Sequence, residues 1–180
     1  MGEAINLVEN FKVEKAILNS GNLNYLEKKF INVFNSYQII YDGYQFVLGD
    51  FSFISINSDL DNENDSSIVL YSVIDKYKLL FMGDASIKSE INVMNKYNFD
   101  EVDILKVGHH GSKTSSSKEF INTINPKYSI ISVGKNNKFG HPNKNVLDNL
   151  KNSIIYRTDK DGSVIFSIKN SKLKVETCVP

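Results

Sequence analysis

Apolar residues recur along the first third of the chain with two different periodicities. In residues 4–11 and again in residues 23–33 they follow one another at three- and four-residue spacing, which predicts two amphipathic helices. Residues 13–18 form a short apolar run between them, as expected of a strand. From residue 37 to residue 56 the period shortens to two, which predicts strands, and Gly49-Asp50 supplies a turn between two of them.

The rest of the chain alternates between apolar strands and helices. A polar, acidic stretch from Asp59 to Ser67 predicts a loop. Predicted strands follow at residues 67–74, 77–82, 102–107 and 128–133, and predicted helices near residues 87–94, 117–124 and 143–150. The last 25 residues predict strands around a turn at 158–162. This alternation indicates an α/β fold with a sheet covered by helices, in one domain without internal repeats.

Composition narrows the class of protein. A chain of 180 residues with 41% apolar and 23% charged residues has the length and content of one globular domain. The 21 basic residues balance the 21 acidic ones, so no overall basic field indicates nucleic acid. The single cysteine, Cys178, excludes an internal disulfide. Without a long apolar run or a signal peptide, the chain itself is expected to be soluble. Its localisation, and any membrane attachment of a larger parent, stay open.

The candidate chemistry begins with the three histidines of the chain, His109, His110 and His141. All three lie in glycine-containing loops directly after apolar strands, and this placement favours a site over isolated structural histidines. Asp84, in Phe-Met-Gly-Asp-Ala, has the same placement. Taken alone, Asp84 fits a helix N-cap as well as a metal ligand. The histidines favour the ligand, because carboxylate and imidazole together suit Zn, Mn or Fe.

The segment from Gly108 to Ser117 is the richest in polar chemistry. It leads into a helix for which Ser116 begins a predicted capping box. Free amides at a helix N-terminus attract anions, and Lys113 adds a positive charge. These features favour a phosphate cradle, whereas the structural alternative is a well-capped polar loop. The candidate phosphate-binding residues are Gly111, Ser112, Lys113, Thr114 and Ser115.

Two acidic segments are better explained as structure than as sites. Asn64, Asp65 and Ser66 precede a strand and favour a solvated loop over metal ligation. The segment Asp159–Gly162 is too short for the roughly twelve-residue EF-hand loop and predicts a turn. The sequence contains no P-loop, dinucleotide fingerprint or Ser-His-Asp order.

Four segments carry a family resemblance. They read Leu-Phe-Met-Gly-Asp-Ala (80–85), Asp-Ile-Leu-Lys-Val-Gly-His-His-Gly-Ser-Lys-Thr-Ser (103–115), Ile-Ser-Val-Gly-Lys-Asn-Asn-Lys-Phe-Gly-His-Pro (131–142) and Tyr-Arg-Thr-Asp-Lys-Asp-Gly (156–162). In order and spacing they resemble motifs of the extracytoplasmic hydrolase domain of ComEC-family competence proteins. The resemblance covers nearly the whole chain, most specifically residues 65–168. It implies an αββα metallo-β-lactamase sandwich and metal-dependent hydrolysis of phosphodiesters, with DNA as substrate during uptake.

The resemblance also implies roles for individual residues. Asp84 matches a metal-bridging aspartate, and His141 matches a late ligand histidine. His109 and His110 match paired histidines, of which one is expected to touch metal and the other to act as an acid or phosphate binder. An intact domain of this kind would hold two metal ions, zinc or manganese. At 64–66, where many members of the superfamily carry a further ligand histidine, this sequence has none.

One departure from the superfamily matters most. Its main ligand cluster, His-x-His-x-Asp-His, does not occur in this sequence, and residues 1–7 resemble the helix that follows that cluster. Residues 1–180 are therefore expected to be a single partial domain lacking the upstream half. By itself the chain should bind metal weakly or not at all, show little activity and self-associate through an exposed sheet edge. Two further hypotheses are a hydrolase of small esters, lactones or phosphoesters on the same fold, and a non-catalytic half-domain that only binds partners or itself.

Overall fold

A seven-stranded mixed sheet forms the centre of the structure. The computed structural model describes residues 2–56 and 66–179. Its helices are α1 (Gly2–Asn10), α2 (Tyr25–Val33), α3 (Ile87–Lys96), α4 (Lys118–Ile124), α5 (Lys144–Asn149) and α6 (Thr158–Asp161). Its strands are β1 (Ala16–Asn19), β2 (Tyr37–Ile40), β3 (Gln45–Leu48), β4 (Phe51–Ile56), β5 (Val69–Ile74), β6 (Tyr77–Phe81), β7 (Ile104–Lys106), β8 (Tyr128–Ile131), β9 (Ile154–Arg157), β10 (Ser163–Lys169) and β11 (Lys172–Cys178).

The order of the large sheet is β3-β4-β5-β6-β7-β8-β9. Strands β3 to β6 pair antiparallel as a meander, and strands β6 to β9 pair parallel. Parallel neighbours require crossover connections, and these carry α3, α4 and α5 in turn. The carboxyl ends of β6, β7 and β8 therefore lie side by side at one edge of the sheet. The predicted α/β class, with a meander followed by alternating strands and helices, is confirmed.

The core packs the centre of the sheet against the crossover helices. Its fully buried members include Leu80, Leu105 and Ile131 on three adjacent strands, with Phe120 and Ile124 from α4. Burying side chains of this size contributes roughly 1.5–3 kcal/mol each. This part of the fold holds the ends of β6, β7 and β8 in fixed positions.

Helix α3 exists where predicted but turns a different face inward. The prediction rested on Ile87, Ile91 and Met94, yet Ile87 and Ile91 are 37% and 44% exposed. The buried residues of the helix are Ser89, Glu90 and Val93, and Met94 packs partly against the core. The apolar pattern failed here because a buried carboxylate, that of Glu90, binds backbone amides of the neighbouring loop.

The prediction that residues 158–162 form a turn between two strands of a hairpin is wrong. Thr158–Asp161 is a single helical turn that leads from β9, in the large sheet, into β10 of a separate hairpin. Two carboxylates stabilise it around Arg157: the Arg157 amide donates to Asp161 at 2.7 Å, and the guanidinium pairs with Asp159 at 2.6 Å. The chain reversal of the hairpin lies instead at Asn170-Ser171, both with positive φ.

Three predictions stay untested by the fold. Residues 57–65, which include Asn64 and Asp65, lie outside the described residues. The assignment of residues 1–180 to one partial domain stays a prediction. So does self-association, although edge strand β3 exposes Val47 and Leu48. Across residues 2–56 and 66–179, no helix is both long and apolar enough to span a membrane.

Candidate metal and phosphate site

The four predicted ligand residues meet at the shared edge of β6, β7 and β8. Asp84 follows β6, His109 and His110 follow β7, and His141 lies in the loop after β8. His110 Nε2 lies 3.6 Å from Asp84 Oδ1. The ring centroid of His109 lies 6.0 Å from that of His141 and 6.5 Å from that of His110. The structure thus brings one carboxylate and three imidazoles into a single cluster.

The backbone of the two adjacent histidines is unusual. His109 and His110 have φ values of 45° and 55°, inside the left-handed region. Non-glycine residues there cost roughly 1–3 kcal/mol each, and such conformations concentrate at functional sites. The His109 amide donates to Gly83 O at 2.9 Å, which ties this loop to the residue before Asp84. The tight turn directs both imidazoles toward the edge that carries Asp84 and His141.

The two rings are held differently. His110 Nδ1 donates to Ser132 O at 2.7 Å, because a carbonyl oxygen can only accept. This bond fixes the ring and leaves Nε2 facing Asp84. His109 Nδ1 is buried and has no hydrogen-bond partner among the described residues. A buried polar atom without a partner in a native structure calls for an explanation such as an ion or water.

His141 is braced by the side chain of Asn137. Asn137 Oδ1 accepts from the His141 amide at 3.0 Å, and Asn137 Nδ2 donates to His141 O at 2.7 Å. Burial lowers the pKa of His141, and the neighbouring His109 and His110 lower it further. A neutral imidazole, which this shift favours, is the form that binds metal.

The carboxylate and imidazole groups of the cluster suit a transition metal, but they do not form a complete set of metal ligands. Asp84, His109 and His141 supply oxygen and nitrogen donors of the kind that zinc and manganese accept. Among residues 2–56 and 66–179, however, no three such side chains are arranged to hold a metal ion together. The residues therefore fit as part of a ligand set, and the assignment of Asp84, His109, His110 and His141 to metal stays a prediction.

Lys106, at the end of β7, places a cation beside the cluster. Its Nζ donates to Val107 O at 3.1 Å. Burial lowers the pKa of Lys106, and the Asp84 carboxylate opposes that change. Sequence reasoning missed this residue, although a lysine inside an otherwise apolar strand is a visible signal. Its charge offsets part of the negative charge of Asp84.

The predicted phosphate loop is largely organised by its own hydroxyls. Ser115 Oγ donates to Gly108 O at 2.8 Å and is buried, and Ser112 Oγ lies 3.0 Å from Thr114 Oγ1. The side chains of Lys113 and Thr114 are exposed. Ser112 and Ser115 therefore shape the loop, whereas Lys113 and Thr114 are the side chains exposed on its surface.

Gly111 fixes this loop against the loop of His141. It has φ +80°, and a Cβ placed on it would lie 2.7 Å from Pro142 Cβ. The Asn143 amide donates to Gly111 O at 2.8 Å. Only glycine allows this approach, so the loops that carry His110 and His141 are in direct contact.

The start of α4 differs from the prediction. Its N-cap is Ser117, whose side chain accepts from the Phe120 amide, so the capping box expected to begin at Ser116 is wrong. The amides of Ser116 and Ser117 are not free for a phosphate, because both donate to the carboxylate of Glu90. Glu90 is 1% exposed and occupies the anion position of this helix start. Nothing in the apolar pattern of α3 indicated it.

A groove of about 440 Å³ lies beside the cluster. Its lining residues are His110, Ser132, Val133, Gly134, Asn137, Phe139, His141 and Thr158. Thr158 closes one side, since its hydroxyl donates to Val133 O at 2.8 Å and accepts from the Val133 amide at 2.7 Å. Phe139, Asn137 and Thr158 were not among the predicted site residues, although all three fall within the motifs of the family resemblance.

Three competence proteins are similar to this chain over more than half of its length. ComE operon protein 3 of Bacillus subtilis is 42% identical over 114 residues, which are 62% of this chain. Competence protein ComA of Neisseria gonorrhoeae is 34% identical over 132 residues, 71% of this chain. Recombination protein 2 of Haemophilus influenzae is 31% identical over 116 residues, 63% of this chain. This chain is a homologue of the competence proteins. The resemblance predicted from its four motifs is confirmed.

The matches cover only part of each competence protein. The aligned segments make up 15%, 19% and 14% of the three relatives. No family model matches the chain. Among solved structures, a protein from Thermotoga maritima described as a zinc-dependent hydrolase of the metallo-β-lactamase superfamily is similar at 15% identity, with a TM-score of 0.39. That similarity covers 74% of this chain and 69% of the other.

Proposed function

We propose that this chain supplies one wall of a metal-dependent phosphodiesterase site that acts on DNA in a competence-associated protein. The observation that carries the proposal is the convergence of Asp84, His109, His110 and His141 at the ends of three adjacent parallel strands. Ligand sites in open α/β sheets lie beyond the carboxyl ends of the strands, and loops at such an edge can combine groups from distant parts of the chain. The homologous competence proteins favour DNA over a small ester.

Three residues are assigned to metal. Asp84, His109 and His141 would contribute ligands for zinc or manganese. The supporting features are the buried Nδ1 atom of His109, which has no hydrogen-bond partner among the described residues, and the neutral imidazole favoured at His141. A two-metal centre, when bound, supplies an activated water and neutralises charge on the phosphoryl group. His110 could bind metal only through Nε2, because Nδ1 is used by Ser132 O, and in that case it could not act as the proton donor.

His110 is also assigned the proton transfer. Its Nδ1 stays bonded to Ser132 O, so the ring gives and takes protons at Nε2, which faces the cluster. In the forward direction Nε2–H donates a proton to the leaving oxygen of the phosphodiester. Lys113 and Thr114, exposed on the adjoining loop, would contact the phosphate, while Gly111, Ser112 and Ser115 hold that loop in place.

We infer that the isolated chain turns over little substrate. The support is that the described residues gather donors without completing a three-ligand set. A metal ion held by an incomplete ligand set binds weakly, since affinity depends on ligand count and geometry. In this proposal the remaining ligands must come from groups other than the described ones.

Metal titration of the purified chain tests the proposal. Zinc and manganese are titrated by calorimetry, with elemental analysis of the recovered protein, for the parent, His141→Ala, Asp84→Asn and His110→Ala. We expect weak stoichiometric binding that is lost in the first two variants and retained in His110→Ala. Metal binding by the parent that His141→Ala and Asp84→Asn leave unchanged would contradict the metal assignment. Efficient metal-dependent cleavage of bis(p-nitrophenyl) phosphate by the parent chain would contradict its inferred inactivity.

A further inference from the structure

The loop between β8 and α5 presents an exposed aromatic ring beside the cluster. Phe139 is 81% exposed. One face of its ring stacks on His141, with a centroid distance of 5.8 Å and an interplanar angle of 21°. Because so little of Phe139 is covered, its opposite face is open to solvent. A single exposed phenylalanine is ordinary by itself, so its setting decides whether it has a role.

The ring is held in place by its loop. Asn137 Oδ1 accepts from the Phe139 amide at 3.2 Å as well as from the His141 amide at 3.0 Å. Asn137 Nδ2 donates to His141 O at 2.7 Å and to Gly134 O at 3.3 Å. One side chain therefore ties both ends of the loop, and Phe139 is presented on an ordered surface. An aromatic ring fixed before binding loses little conformational entropy when a ligand stacks on it.

The charge around the ring has one sign. Between Gly134 and Leu147 the sequence contains Lys135, Lys138 and Lys144 and no aspartate or glutamate. Lys135 and Lys138 are exposed on the loop itself. This local basic segment lies in a chain whose total charge is zero. Aromatic rings flanked by lysines are the combination that binds single-stranded nucleic acid, through base stacking and phosphate attraction.

We propose that Phe139 stacks with an unpaired nucleobase next to the phosphodiester held at the histidine cluster, which makes it the residue that selects single-stranded over duplex substrate. The inference rests on the proposed function for the position of the phosphodiester. The groove of about 440 Å³ between His110, Phe139 and Thr158 lies within the size range of small-molecule sites and accommodates one nucleotide. A base inside a duplex is stacked on its neighbours and cannot offer its face to Phe139.

Oligonucleotide binding in the absence of metal tests this inference separately from hydrolysis. Fluorescence anisotropy of a labelled oligothymidylate is measured at low salt in EDTA, with an abasic strand of equal length and a matched duplex as comparison probes. The variants are Phe139→Ala, Phe139→Tyr and the control Tyr25→Ala, which removes a 79% exposed aromatic ring on helix α2. Thermal unfolding of each variant checks that the fold is intact.

We expect Phe139→Ala to weaken oligothymidylate binding by roughly 5- to 100-fold. Phe139→Tyr and Tyr25→Ala should bind like the parent, and binding of the abasic strand and the duplex should not respond to Phe139→Ala. The inference is overturned if the parent does not bind the oligonucleotide, if Phe139→Ala binds as tightly as Tyr25→Ala, or if the abasic strand loses affinity equally. If His141→Ala abolishes metal binding but Phe139→Ala leaves oligothymidylate binding unchanged, this inference is refuted and the metal assignment stands. If Phe139→Ala weakens oligothymidylate binding but His141→Ala leaves metal binding unchanged, the metal assignment is refuted and this inference stands.

Discussion

Replacement of Glu90 by alanine should destabilise the protein far more than its place on a polar helix suggests. Its carboxylate is 1% exposed and accepts hydrogen bonds from the amides of Ser116 and Ser117. The first amide is fully buried and the second is partly buried. In Glu90→Ala both amides lose their acceptor, and a side-chain-sized gap remains between α3 and the start of α4.

The magnitude follows from the two amides. A buried donor left without a partner costs roughly 1–3 kcal/mol, and a half-exposed one costs less because water replaces the acceptor. The variant no longer has to bury the carboxylate of Glu90, and this gain offsets part of the cost of the gap that the side chain leaves. We expect a fall in the free energy of unfolding of about 2–4 kcal/mol. For a domain of this size each kcal/mol corresponds to roughly 2–4 °C in Tm.

Urea unfolding followed by circular dichroism measures the difference, with Glu119→Gln as the matched control. Glu119 lies in the first turn of α4 and is exposed, so its neutralisation should change stability by no more than about 0.5 kcal/mol. A Glu90→Ala variant within about 0.5 kcal/mol of the parent would refute the reasoning, since it would mean that the two amides find other acceptors at no cost.

Three further predictions concern pH, the cation at β7 and the sheet edge. Burial raises the pKa of Glu90, so from its ordinary value of 4.5 up to the raised value the folded chain binds more protons than the unfolded chain. The stability that protonated Glu90 contributes should therefore fall as pH rises through that window, and a pH series of urea midpoints for the parent and Glu90→Gln should show this slope only in the parent. Burial also lowers the pKa of Lys106, so a charged Lys106 costs stability near neutral pH. Lys106→Met should raise the free energy of unfolding by about 0.5–2 kcal/mol in urea titrations at pH 7, and a decrease would show that its contact with the cluster is net stabilising. Sedimentation velocity should show the parent associating as its concentration rises and Val47→Lys staying monomeric, because a charge on edge strand β3 opposes strand pairing; a monomeric parent would contradict the predicted self-association.

The elements that the sequence predicted well are those fixed by local pattern. Strands β6, β7 and β8 of the parallel part were predicted within a few residues, because continuous apolar runs of that length suit strands buried on both faces. The helix predicted near residues 143–150 is α5, and Asn143 at the start of that range is its N-cap. These features depend on neighbours in the chain, which a sequence displays directly.

The features that were missed depend on contacts between distant segments. The buried face of α3 could not be predicted, because Glu90 is buried only through amides 26 and 27 residues away. The helical turn at 158–161 is an exception, because it was missed although it depends on local contacts: Asp159 and Asp161 bind Arg157 two and four residues away. The cluster was predictable because three scarce histidines follow strands that become neighbours. The stacking of Phe139 on His141 and the position of Lys106 beside Asp84 depend on the fold.

The contact between Gly111 and Pro142 ties the evolution of two loops together. A Cβ at position 111 would lie only 2.7 Å from Pro142 Cβ, so any side chain there displaces the backbone that follows His141. A change in either loop is then tolerated only after a matching change in the other, so the effects of substitutions at 111 and 142 should depend on the order in which they arise. Libraries that vary one loop while holding the other constant would sample mostly non-functional variants, whereas joint variation of both would reach new pocket shapes.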